Sequence, residues 1–267
     1  MFLTDAHCHL QSPALTAVLP ELWAEMPRHH IGRWSVNGLT QADWPHVAAL
    51  ARAHPQLRPS FGLHPWYLQE RSADWREELA HWLREFPGSG VGEFGMDRWM
   101  PGADLVDQMA VFREHWTLAV QHHLPVTIHC LRAWNELETV LRDAPRAERG
   151  FLLHAYGGPA EQVPRWVERG AYFSFSTSFL GPEKARKREP FRRVPLDRLL
   201  IETDAPSMPP PPTLSLHPLT DPTTHRPLNH PANLPLALHA LAELRGLSLP
   251  EMAGQLEENF TRWWGNA

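Results

Sequence analysis

The chain has 267 residues, 43% of them hydrophobic, and a formal charge of −5, enough for a substantial core in one large domain or two small ones. No apolar run approaches the ~18 residues of a membrane span, and the N-terminus lacks a basic segment followed by an apolar one, so neither a transmembrane helix nor a signal peptide is expected. The negative charge excludes a protein that is basic overall, and two cysteines make no disulfide framework, so a reducing cytoplasm is the expected compartment.

Apolar β-rich runs alternate with helical patterns throughout. Strands are predicted at 2–8, 33–38, 57–63, 90–94, 125–130, 150–155, 171–176 and 199–203. Helical periodicity fills the intervals, as in 74–83 and 105–123. In the latter Met109, Phe112, Trp116, Leu118 and Ala119 form an apolar stripe that packs on a sheet. Strict alternation implies parallel strands, and eight repeats imply a closed (β/α)8 TIM barrel rather than an open sheet. No internal repeat or linker interrupts it, so 1–267 reads as one barrel domain. Region 204–235 is the exception. Its prolines, including 209–212, argue against regular structure and suggest a lid over the barrel mouth. The tail, 248–264, is predicted as a closing helix with Leu256, Phe260, Trp263 and Trp264 on one face. A basic stretch at 184–193 carries six cations against one carboxylate, either a solvated face or a phosphate-contact patch. It contains both lysines of the chain, Lys184 and Lys187.

Polar residues interrupt the apolar strands in a pattern. Asp5, His7 and His9 alternate along strand one and should share a face. Strand four carries Glu93, strands five and six end in His129 and His154, strand eight ends in Asp204, and strand three ends in His64. In a barrel, C-terminal strand ends converge on one mouth. Four histidines with Glu93 and Asp204 make a mixed nitrogen and oxygen donor set suited to Zn, Mn, Fe or, less comfortably, Mg. Six side chains exceed the needs of one catalytic ion with an open position, so two divalent ions are expected, with Glu93 as the bridge. No lysine lies in a predicted strand, which closes the carbamylated-lysine route to a bridge. Glu202 and Asp5 are read as orienting the ligands by hydrogen bonding. Cys8 and Cys130 should point away from their neighbouring histidines and pack as buried residues.

Taken together, Asp5-Ala-His-Cys-His9, Gly90-Val-Gly-Glu-Phe-Gly95, Pro125-Val-Thr-Ile-His129, His154-Ala-Tyr-Gly-Gly158 and Ile201-Glu-Thr-Asp-Ala-Pro206 resemble the TatD family of metal-dependent deoxyribonucleases, within the amidohydrolase superfamily. The resemblance runs the full length and includes the tail, Glu258-Asn-Phe-Thr-Arg-Trp-Trp-Gly265. It implies that His7, His9, Glu93 and Asp204 hold one ion and Glu93, His129 and His154 the other, with Mg or Mn supporting activity; with the donor set, the expected cofactors are two divalent ions, Mg, Mn or Zn. It further implies that His64 faces the substrate and that DNA phosphodiesters are cleaved from a 3′ end. The chain departs from the family pattern at His129-Cys-Leu-Arg-Ala-Trp134, where Arg132 sits one position late, at Tyr156-Gly-Gly158, in the proline-rich stretch, and at Leu228-Asn-His-Pro231.

The expected mechanism is hydrolysis by a metal-activated water, with Glu93 and Asp204 as the catalytic carboxylates and Asp204 taking the proton. His64 and Arg132 are the candidate hydrogen-bond donors to the substrate's phosphoryl oxygens. Such a site also suits other ester or amide bonds, for example in aminoacyl-tRNA deacylation. A metal-stabilised barrel that only binds a partner is the third reading. Trp66 and Trp99 lie near the expected mouth, where aromatic rings stack on bases. No membrane contact and no obligate protein partner are expected.

Overall fold

Eight parallel strands ring the computed structural model, which describes residues 2–265, in the order they occur along the chain. The elements are β1 (Leu3–Cys8), α1 (Leu19–Glu25), β2 (Ile31–Asn37), α2 (Trp44–Ala53), β3 (Leu57–Phe61), α3 (Trp75–Glu85), β4 (Gly90–Asp97), α4 (Leu105–Gln121) and β5 (Val126–Leu131). They continue with α5 (Trp134–Leu141), β6 (Phe151–Leu153), α6 (Val163–Glu168), β7 (Ala171–Ser176), α7 (Pro190–Arg193), β8 (Leu199–Glu202), β9 (Pro218–Thr220), β10 (Pro227–Asn229), α8 (Leu234–Arg245) and α9 (Leu249–Trp264). The ring closes just past the C-terminal ends of β1 and β8, where Asp204 N donates to His7 O (3.0 Å) and His9 N to Ala205 O (2.7 Å). Among the described residues no helix is long and apolar enough to cross a membrane.

Helix α9 plugs the N-terminal end of the barrel. Its Phe260, Trp263 and Trp264 pack against Ala6, Leu152, Tyr172 and Leu200. Burying each such ring is worth roughly 1.5–3 kcal/mol. A Ser248–Glu251 capping box starts the helix. Asn259 Nδ2 ties it to the first carbonyl of β8, Leu199 O, at 2.8 Å. With one end closed by apolar packing, the other end is left to carry polar chemistry.

Four expectations change. Asp5 does not share the face of His7 and His9, because the β1–β2 pairing carries a register irregularity between Asp5 and Cys8 that breaks strict alternation. Instead Asp5 accepts hydrogen bonds from Thr203 N (3.0 Å), Thr203 Oγ1 (2.5 Å) and His7 N (3.3 Å). Burial raises its pKa to about 7 against these bonds. Second, β4 runs on to Asp97, so Glu93 is mid-strand; the extension pairs with β5 through Gly95–His129 and Asp97–Leu131. Third, region 204–235 contains the antiparallel hairpin β9–β10. Pro218 and Pro227 stand at the first positions of its two strands, where proline is tolerated. Fourth, Cys8 is buried, its Sγ directed at Ser35 O (3.4 Å), but Cys130 near the barrel rim is only partly so.

Candidate metal centre

The barrel brings six donor side chains to one mouth. His7 lies in β1 with His9 just beyond it, Glu93 in β4 and His129 in β5, while His154 follows β6 and Asp204 follows β8. Glycines allow β4 to press against β5: a Cβ at Gly95 would lie 1.9 Å from His129 O, and one at Gly92 2.7 Å from Thr127 O. That contact is what lets Glu93 and His129 converge.

Two sets of atoms result. His7 Nε2 lies 3.2 Å from His9 Nε2, 3.3 Å from Glu93 Oε2 and 3.4 Å from Asp204 Oδ1. His9 Nε2 lies 3.4 Å from Glu93 Oε2 and 3.1 Å from Asp204 Oδ1. A tetrahedral ion with bonds of about 2.0–2.1 Å separates its ligand atoms by about 3.3–3.4 Å, so this cage has the required size. The other Glu93 oxygen, Oε1, lies 2.7 Å from His154 Nε2 and 3.0 Å from His129 Nδ1, with those two nitrogens 3.2 Å apart. Each oxygen of Glu93 therefore belongs to a different set.

The partners behind the rings fix which nitrogen is free. His9 Nδ1 lies 2.8 Å from the Asn37 carbonyl, which only accepts, so the proton is on Nδ1 and Nε2 offers a lone pair. His129 Nε2 donates to Asp97 Oδ2 (3.0 Å), freeing Nδ1. His154 Nδ1 faces Glu202 Oε1 at 3.6 Å, freeing Nε2, and Ser174 Oγ donates to the other oxygen of Glu202. This carbonyl or carboxylate behind the imidazole is the arrangement that orients metal-ligating histidines. His64 is different. Its Nδ1 accepts from Trp66 N (3.1 Å), so Nε2 carries the proton, and that N–H points toward Glu93 Oε1 at 3.6 Å. With that proton in place His64 presents a donor to the cavity, and its ring also stands with Glu93 and His129 in a compact group of metal-type side chains.

Without a cation the cluster would set imidazole lone pairs against one another in a dry site. Burial alone would raise the Glu93 and Asp204 carboxyls. Instead the surrounding histidines, His154 and His7 chiefly for Glu93 and His7 and His9 for Asp204, hold both well below the usual range. Burial pushes His9 toward neutrality, yet Asp204 and Glu93 lift its pKa to about 10. The carboxylates thus demand positive charge, and the donor set fits divalent ions. His7, His9 and Asp204, and His7, Glu93 and His154, each form compact groups able to hold one.

Known proteins carry the same frame. The family model described as "TatD related DNase" matches residues 4–265. The chain belongs to the TatD family. Among curated TatD relatives, the uncharacterized metal-dependent hydrolase YjjV of Escherichia coli K12 is 29% identical over 209 residues, covering 77% of this chain and 80% of YjjV. A protein of Erwinia tasmaniensis named 3'-5' ssDNA/RNA exonuclease TatD is 28% identical over 233 residues, 85% of this chain and 86% of that protein. The crystal structure of the E. coli TatD homolog YjjV superposes with a TM-score of 0.88 at 26% identity, covering 98% of this chain and 97% of that one. The chain is accordingly a metal-dependent hydrolase of TatD type on a TIM barrel.

A cavity of ≈ 270 Å³ opens over the two sets. His9, Glu93, His129, His154 and Asp204 form its floor, and His64, Trp66, Tyr67, Trp99, Ser207 and Met208 are among its walls. Ser207 and Met208 come from the proline-rich region, which does border the mouth. Trp66 and Trp99 are 42% and 53% exposed, their ring centroids 6.3 Å apart. Arg132 follows β5 in left-handed backbone (φ 56°) and is exposed outside the cavity lining. Lys187, whose ammonium pKa is lowered by burial and by the nearby Lys184 and Arg132, donates to Gly157 O at 3.1 Å. The expected phosphate contact and the basic stretch thus meet on the rim. Sequence reasoning missed Asp97, though residues 93, 95 and 97 share strand parity and strand length alone hid it. It also missed His115, which lies inside α4 and whose role depends entirely on what packs there.

Proposed function

We propose that this TatD-family hydrolase is a nuclease-type phosphodiesterase, cutting DNA from a 3′ end with two divalent ions, Mg, Mn or Zn, at the barrel mouth. The observation that carries the reading is Glu93, whose two oxygens each complete a separate histidine-containing set. Bound divalent ions would supply the acidification of a water toward neutral pH and the neutralisation of charge on phosphoryl oxygens. The chain's own residues supply the rest. His7, His9, Glu93 and Asp204 would hold one ion, and Glu93, His129 and His154 the other. Asp204 spends Oδ1 on the first set, which leaves Oδ2 to accept the proton of the attacking water. His64 Nε2–H donates to a non-bridging oxygen, its proton fixed there by Trp66 N. Trp66 and Trp99 offer ring faces to the terminal bases. Arg132, Lys184 and Lys187 meet the phosphates that trail out of the cavity. Free thiols at Cys8 and Cys130 agree with a reducing, cytoplasmic setting.

One observation favours a second reading. No arginine or lysine is among the described residues that line the cavity. A less anionic ester or amide would fit that lining on the same centre. A time course on 3′-labelled single-stranded DNA with Mg or Mn, with Glu93→Gln in parallel, separates the two. Metal-dependent shortening by the wild type alone is the expected result. No cleavage by metal-loaded wild type, together with turnover of carboxylic esters or amides, would replace the nuclease reading with the second.

A further inference from the structure

A second cluster of metal-type side chains lies away from the barrel-mouth centre and shares no residue with it. Glu25 ends α1, and His29 follows one helical turn later. His217 precedes β9, and His230 follows β10, so two of the four come from the proline-rich strap. Glu25 Oε1 lies 3.3 Å from His217 Nδ1 and 3.7 Å from His29 Nε2. The ligand atoms of Glu25, His29 and His217 all fall within 4.8 Å of one another, and the His29 and His217 rings sit edge to face with centroids 4.3 Å apart. The two Glu25 spacings lie at and just above the ~3.3 Å edge of a tetrahedral zinc site.

We propose that Glu25, His29 and His217 form a zinc site that clasps the proline-rich strap to α1. His230 is the positioning residue of that site. Its Nδ1 accepts from Ala232 N (3.0 Å), so the proton is on Nε2, which faces Glu25 Oε2 at 3.5 Å. His230 therefore holds the carboxylate from behind and leaves Oε1 to the ion, the same division of labour seen behind the barrel-mouth histidines. The backbone of His217 is already placed, because Leu216 N and His217 N both donate to Asn233 Oδ1 (3.1 and 3.0 Å). Two imidazoles and one carboxylate, with no thiolate, suit Zn2+ and leave a fourth position for water. The three proposed ligands are partly open to solvent, His217 at 18%, His29 at 30% and Glu25 at 36%, so an ion has a path in, while His230 behind them is buried. Because Ser207 and Met208 of the same strap wall the cavity, fastening it here holds one side of the barrel mouth.

The test uses zinc alone as the probe and metal content as the readout. Full-length wild type, His217→Ala and His29→Gln are loaded with Zn2+, dialysed and assayed by elemental mass spectrometry. Hydrogen exchange of the 213–226 segment is followed with and without the metal. The expected result is one fewer zinc per chain in both variants, with the barrel-mouth ions retained. Zinc should slow exchange in the segment by about tenfold or more in wild type only. Equal zinc content in wild type and both variants would overturn the site, and zinc-insensitive exchange in loaded wild type would overturn the clasp. The His29→Gln change sits on a partly exposed turn outside the strap, so it keeps the test decisive should His217→Ala perturb the strap.

Discussion

Asp97→Asn is the sharpest perturbation of the proposed two-ion centre, because it changes what stands behind one ligand and removes no ligand. Asp97 Oδ2 accepts from His129 Nε2 (3.0 Å) and from Trp66 Nε1 (2.7 Å), while Oδ1 accepts from Trp99 N (2.7 Å) and Met100 N (3.1 Å). The carboxylate is thus surrounded by donors, and burial, which would raise it, is outweighed by His129, which lowers its pKa. An asparagine amide has one accepting oxygen, so one pair of these donors would face an N–H2 group instead. If the oxygen stays with the backbone donors, His129 loses the acceptor that keeps its proton on Nε2 and its Nδ1 lone pair on the ion. Loss of an orienting partner of this kind weakens metal binding by about 10–100-fold, or about 1.4–2.7 kcal/mol. The loss should fall on the set formed by Glu93, His129 and His154 and spare the set formed by His7, His9, Glu93 and Asp204. Chelator-competition titration with Mn2+ or Zn2+ should show one tight and one weakened site, and raising metal concentration should restore turnover. Equal weakening of both sites, or none in a folded variant, would refute the assignment of Asp97 to His129.

Three further outcomes follow from the same geometry. His64→Gln should lower kcat by about 100–1,000-fold with metal content unchanged, since its proposed role is to donate to the substrate; a missing ion in the assayed variant would count against this. Arg132→Ala combined with Lys184→Ala should raise KM for oligonucleotides and flatten its dependence on salt by up to about two counterions, leaving a small phosphodiester unaffected, and steady-state kinetics at several ionic strengths would show it. His115 has its pKa lowered by burial to about 4, against about 6.5 in the unfolded chain, so its contribution is fully present above pH 6.5 and is lost as pH falls toward 4, by about 3 kcal/mol in all. His115→Phe should therefore flatten the stability profile between pH 4 and 6.5 while destabilising the protein near neutrality by about 1–3 kcal/mol, because Leu63 N (3.1 Å from His115 Nε2) loses its acceptor; urea unfolding at pH 5 and 7.5 reads both effects.

The side chains of the candidate metal centre were legible in the sequence because they violate it locally. A histidine or carboxylate at the end of an apolar strand has no place in a dry core, so His7, His9, Glu93, His129, His154 and Asp204 stand out by type and position alone. The barrel was legible for a similar reason, since eight apolar runs separated by helical intervals leave little other topology. What was hidden depends on pairing. Asp97 was invisible because the length of β4 is set by its partner β5 rather than by its own residues. Asp5 was misplaced because the irregularity in β1 is a property of the β1–β2 ladder. The Asn37 carbonyl behind His9 has no sequence signature at all, since every residue carries one. The hairpin in the proline-rich strap was hidden for a subtler reason: proline forbids a ladder donor, not a strand start.

This division also bears on why family membership conveys the chemistry more firmly than the substrate. Every atom of the two proposed ligand sets is held by, or within two residues of, a barrel strand, where the neighbouring strands fix the backbone on both sides. The walls of the cavity have other origins. Trp66 and Tyr67 follow β3, Trp99 follows β4, and Ser207 and Met208 belong to the strap after β8. Those segments answer to few backbone constraints, so they change without disturbing the centre. In this chain two exposed tryptophans stand beside the mouth, no cation is among the described lining residues, and the cations of the segments after β5 and β7 stand outside it on the rim. A substrate that satisfies all three features has a planar end to stack, a scissile group that meets N–H and O–H donors, and negative charge that extends outward. The 3′-terminal nucleotide of the proposed substrate has that distribution. A small neutral ester would leave the rim cations without a role.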